Sequence, residues 1–86
     1  MDRYVHYNIS RDAVEFRLAG ETSEWVEAAV TGEALEDAYG SGPGEAARLQ
    51  TFAEHERHIR DVAEQLLGEG LEPLVRAEDL AARRPL

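Results

Sequence analysis

Three short runs within the first 31 residues alternate apolar and polar side chains with a period of two. Val5, Tyr7 and Ile9 alternate with His6 and Asn8. Val14, Phe16 and Leu18 alternate with Ala13, Glu15 and Arg17. Val26, Ala28 and Val30 alternate with Trp25, Glu27 and Ala29. A period of two sends successive side chains to opposite faces of a strand. Ser10-Arg11-Asp12 reads as a turn between the first two runs, and Gly20-Glu21-Thr22-Ser23 as a reversal before the third. Links this short join antiparallel neighbours, so the opening of the chain predicts a three-strand meander with one buried and one wet face.

Two pairings of the second and third strands keep the apolar rows together. One sets Phe16 opposite Val26, with Arg17 against Trp25 and Glu15 against Glu27. The other sets Phe16 opposite Ala28, with Arg17 against Glu27. Unlike charges directly opposite favour the second by ~0.2–1 kcal/mol. The first needs a shorter loop, so both stay open.

Beyond the third run the period changes to that of a helix. Thr31 is an N-cap with Glu33 in the first turn, Ala34, Leu35 and Ala38 share a side, and Gly40 suits the C-terminal stop. Gly40-Ser41-Gly42-Pro43-Gly44 is a loop, with Pro43 suited to the first turn of the next helix. Residues 45–67 then read as one long helix. Leu49, Phe52, Ile59, Ala63 and Leu66 form its stripe, with Val62 and Leu67 beside it. Glu56–Arg60, Arg57–Asp61 and Arg60–Glu64 have the spacing of ion pairs. Glu56 interrupts the stripe, which places it at the rim or against an arginine. Gly68-Glu69-Gly70 ends the helix. Residues 71–75 add a strand that Pro73 confines to an edge, and 77–82 form a last helical turn. The expected architecture is a single α+β domain over residues 1–82, in the order β-β-β-α-α-β. A three- to four-stranded antiparallel sheet carries a short and a long helix on one face, and 83–86 form a frayed tail.

Charge narrows the function classes. The chain carries nine basic residues against 18 acidic ones, a net charge of −9, and every basic residue is arginine. Neither half can build a broad basic surface, so binding to a nucleic-acid backbone or an anionic membrane is not expected. With no cysteine, disulfides and thiolate metal cages are excluded. No apolar run approaches the ~20 residues that span a bilayer. The start Met1-Asp2-Arg3-Tyr4 lacks a signal-peptide pattern, so the expected location is the cytoplasm.

Motifs that carry chemistry are sparse. His55 and His58, three apart with Glu54 and Glu45 nearby, are the only weak metal candidates, and they lack a third ligand. Gly40-x-Gly42-x-Gly44 follows a helix where a phosphate cradle follows a strand, and no lysine accompanies it. Ser10, Ser23 and Ser41 lie in turns outside any nucleophile elbow, and nothing places His6 beside a serine. No catalytic residue, cofactor site or metal site is therefore assigned.

The outer face of the sheet is the surface singled out. With Val14, Phe16, Val26 and Val30 under the helices, Trp25, Arg17, Glu15 and Glu27 point the other way. Trp and Arg are the residue types most enriched among interface hot spots. Trp25 has Arg17 as a stacking partner within the chain, serves as an anchor for a second copy or another protein, or wraps over the edge of its own sheet as ordinary packing. The leading expectation is a non-enzymatic, cytoplasmic protein-interaction module, with homodimerisation a natural supplement to a small core. The alternatives are an acidic DNA mimic that occupies the groove of a nucleic-acid-binding protein, and a small metal-dependent enzyme.

The order of motifs also carries a resemblance. Val14-Glu15-Phe16-Arg17, Val30-Thr31-Gly32-Glu33-Ala34-Leu35-Glu36-Asp37, Phe52-Ala53-Glu54-His55 with Ile59 and Ala63, and Val75-Arg76-Ala77-Glu78-Asp79-Leu80 follow one another along almost the whole chain. This resembles small proteobacterial proteins of the domain of unknown function 1488 family. The resemblance implies an antiparallel sheet with two helices on one face. It implies no activity, since the family has none established. Two departures from the pattern stand out: Glu56 stands where members often carry arginine after the histidine, and Val75-Arg76 stands for Leu-Thr.

Overall fold

The computed structural model describes residues 4–20 and 24–83. The three alternating runs become strands β1 (Val5–Asn8), β2 (Ala13–Ala19) and β3 (Trp25–Thr31), paired antiparallel. Phe16 lies opposite Ala28, Val14 opposite Val30 and Arg17 opposite Glu27, which settles the register in favour of the second pairing. Ile9 does not join β1. It falls in the following turn at 83% exposure, because the hairpin reverses after Asn8. The reversal expected at 20–23 lies mostly outside the described residues, although the Gly20 N–H does donate to the Glu24 carbonyl.

Helix α1 (Gly32–Tyr39) starts where the cap predicts: the Thr31 side chain accepts from the Ala34 N–H at 3.0 Å. Gly40 ends it at φ 72°, a left-handed position natural to glycine. The expected long helix is two: α2 (Glu45–Glu54) and α3 (Glu56–Gly68), parted at His55. His55 leaves helical geometry (φ −124°, ψ 21°), and its ring stacks flat on Tyr39, 3.8 Å between centroids. Restarting at Glu56 resolves the interrupted stripe, since its carboxylate sits in the first turn of α3 and takes the Arg60 Nε at 2.7 Å. Of the three expected helical ion pairs only this one forms; Arg60 gives its Nη1 to the Arg17 carbonyl and makes no pair with Glu64. Pro43 precedes the Gly44 cap of α2 and so stands outside its first turn.

Strand β4 is only Leu74–Val75, the edge position that Pro73 foretells, but it runs parallel to β3. The sheet is therefore mixed, a correction to the antiparallel expectation. Three helices separate β3 from β4, and a crossover of that length returns the chain in the direction of β3. The Ala29 N–H donates to the Pro73 carbonyl at 3.1 Å and seats the new edge. Helix α4 (Ala77–Ala82) closes the fold, with the Asp79 carboxylate accepting from the Arg76 N–H at its start. Of the tail expected at 83–86, Arg83 is described and pairs with Glu69, and 84–86 lie outside the described residues.

The core lies between one sheet face and the helices. Val14, Phe16, Leu18, Ala28 and Val30 meet Leu35, Phe52, Ile59, Val62, Leu66 and Leu80, all buried. Phe16 and Phe52 pack at 5.1 Å between ring centroids, the central sheet–helix contact.

Candidate functional site

Because the helices cover the Phe16 row, strand parity sends the alternate row to the opposite face. On β1 that row holds His6, with Tyr4 just before the strand. On β2 it holds Glu15 and Arg17, on β3 Trp25 and Glu27, and Leu74 lies beside Ala29 on β4. The four residues singled out in the sequence thus share one surface. Trp25 is 65% exposed and does not stack on Arg17. The Arg17 guanidinium lies instead 3.8 Å above the Tyr4 ring, a cation–π contact that the sequence reading missed. That choice leaves Glu27 without the cross-strand ion pair its register permits. Arg17 Nε is buried and finds no acceptor.

Charge is divided across this face. On the β1–β2 side, Glu15 accepts from His6 at 2.6 Å, from Asn8 at 3.0 Å and from Arg11 at 3.5 Å. The Asn8 amide, then His6 and Arg11, hold its carboxyl below the ordinary range against the cost of desolvation. The β3–β4 side carries Glu27 and Glu72, with no ion-pair partner among the described residues. The hollow between the two sides encloses only ≈ 130 Å³, smaller than the ~300 Å³ at which small-molecule pockets begin.

A second polar centre braces the fold. Arg48, 4% exposed, donates Nε and Nη2 to the Asp12 carboxylate at 3.1 and 2.8 Å. Its Nη2 also reaches Glu36 at 2.7 Å, and its Nη1 reaches the Gly42 carbonyl at 3.0 Å. The Tyr7 hydroxyl completes the group, donating to Asp12 at 2.6 Å. Gly32 packs beside it, where a Cβ would press on the Asp12 carboxylate and the Arg48 guanidinium. Every carboxylate here is used in joining the β1–β2 turn to α1 and α2.

The two histidines lie in the helical layer. The Arg83 carbonyl can only accept, so His58 Nε2 donates to it at 2.9 Å, and in the neutral ring Nδ1 accepts from the Tyr39 hydroxyl at 2.7 Å. Both nitrogens of His58 are engaged. Among the described residues no group of three His, Cys, Asp or Glu could hold a metal ion. Nor is any described helix long and apolar enough to cross a membrane.

A family model described as a protein of unknown function (DUF1488) matches residues 1–76. No curated protein and no solved structure matches the chain.

Proposed function

We propose that this chain, which belongs to the DUF1488 family of proteins of unknown function, is a non-enzymatic interaction module whose outer sheet face pairs with a second copy of itself. The observation that carries this reading is Trp25, a large aromatic side chain 65% exposed on the sheet face opposite the described helices. A two-fold axis near the middle of that face lays the β1–β2 side of one copy, with Arg11 and Arg17, against Glu27 and Glu72 of the other. That is the self-complementarity an isologous dimer needs. With the axis running along the strands between β2 and β3, the two indoles would lie close to it, at the Ala19–Trp25 end of the face, and be removed from water together, as aromatic hot spots are.

The acidic-decoy alternative has less support. Asp12, Glu15, Glu36, Glu56 and Glu69 are each held by an arginine, so positive charge is interleaved among the carboxylates and breaks up the row that phosphate mimicry needs. A cytoplasmic setting belongs to the same proposal.

Sedimentation equilibrium at micromolar to hundred-micromolar concentration tests it. A monomer–dimer equilibrium is expected for the wild type. Trp25→Ala should weaken it by roughly 2 kcal/mol, about thirtyfold, without loss of helical circular dichroism. A monomer over the whole range, or a dimer indifferent to Trp25→Ala, overturns the reading.

A further inference from the structure

A wide concavity lies in the helical layer, away from the proposed pairing face. It encloses ≈ 690 Å³ between the end of α1, the α2–α3 joint and α4. That volume falls within the range of ligand-binding clefts, ~300–1,000 Å³. Tyr39, His55 and His58 line it together with small side chains of α1 and α4, Ala38, Ala77 and Ala81, which leave the space open. The rings of Tyr39 and His55 lie within 4° of parallel, and the Tyr39 hydroxyl is fixed by His58, so the aromatic wall is held in place before anything binds.

The cleft is lined by two carboxylates, Asp37 and Glu78, and by no arginine. Neither carboxylate makes an ion pair or hydrogen bond with the described residues. Asp37 lies in the last turn of α1, which contains no basic residue. A carboxylate there faces the negative end of the helix dipole, and a cation at the same spot relieves both. Glu78 sits in the first turn of α4, where the dipole favours it.

We infer that this cleft binds a planar cation bearing an amidinium or guanidinium head. The head pairs with the Asp37 carboxylate, and the flat body lies against the Tyr39–His55 wall. A planar head of this type matches carboxylate geometry with two parallel N–H donors, and its charge is attracted to aromatic surface. The excess of acid over base in the whole chain draws cations towards it.

The test is titration of the full ¹⁵N-labelled chain with benzamidine, with its neutral isostere benzamide and with benzoate. Benzamidine at millimolar concentration is expected to give saturable amide shifts at Tyr39, His55 and His58. Benzamide should bind about tenfold more weakly, and benzoate should leave these signals unmoved. Asp37→Asn, an exposed position, should reduce benzamidine affinity about three- to tenfold with core methyl shifts unchanged. An arginine side chain carries the same head, so N-acetylarginine amide is run beside benzamidine. Tighter binding of the former identifies a peptide source, and weaker binding a small aromatic cation. Absence of saturable shifts, equal response to benzoate, shifts confined to the outer sheet face, or full affinity in Asp37→Asn overturns the inference.

Discussion

Arg48 gathers acceptors from three separate stretches of chain: Asp12 in the first hairpin, Glu36 on α1 and Gly42 in the loop before α2. Arg48→Met keeps most of the buried stem but leaves those acceptors facing one another without their cation. We expect it to destabilise by about 3 kcal/mol in urea unfolding, more than Asp12→Asn, because one cation serves two carboxylates. Asp12 also sets a pH dependence. The Arg48 guanidinium, then the Tyr7 hydroxyl, hold its carboxyl below the usual range. The folded chain therefore binds that proton less tightly than the unfolded one. The stabilisation is complete above the unfolded pKa of about 4 and is lost as pH falls through the lower folded value. Melting temperatures between pH 5 and 2 should fall steeply for the wild type and less steeply for Asp12→Asn, which starts lower. This centre was not singled out from the sequence, although one signal for it was present. Arg48 is four residues before Phe52, hence on the same helix face, and a charge on a buried face needs a partner. Its partner, 36 residues away, has no local signature.

At the scale of elements, strict alternation made the strands readable, because a slip by one residue would expose Val14, Phe16 and Leu18 together. Thr31 and Gly40 bounded α1 because caps depend on local hydrogen bonds. The break at His55 left no such mark. Neither proline nor glycine stands there, and the stack on Tyr39 that accompanies it comes from an element outside the helical stripe. The direction of β4 was equally hidden, since two residues carry no sense of parallel or antiparallel and only the path of the helices decides it. Tyr39→Phe retains the ring stack and removes the hydroxyl that His58 Nδ1 accepts. It should cost about 1 kcal/mol in thermal or urea unfolding and leave the circular dichroism spectrum unchanged.

For the molecule as a whole, the decisive property is polarity. The helices take the Phe16 row, so Trp25, Arg17, Glu15 and Glu27 are left together on the other side, as alternation along β2 and β3 anticipates. What the sequence did not disclose was how that face divides its charge. Glu15 is satisfied by its own hairpin, Arg17 turns to Tyr4, and the acids on the β3–β4 side stay unpaired among the described residues. Two copies each carrying −9 repel at long range, and screening over ~8 Å at physiological salt removes most of that repulsion while leaving contacts at the face. The pairing constant should therefore weaken when salt is lowered tenfold, as read by sedimentation equilibrium. The central claim is tested most directly by isotope-filtered nuclear Overhauser measurements on a mixture of labelled and unlabelled chain at millimolar concentration. Cross-peaks should run from the Trp25 indole of one copy to Tyr4, Arg17 or Trp25 of the other. No intermolecular cross-peak from the indole, or cross-peaks only to α2, α3 or α4, would contradict it.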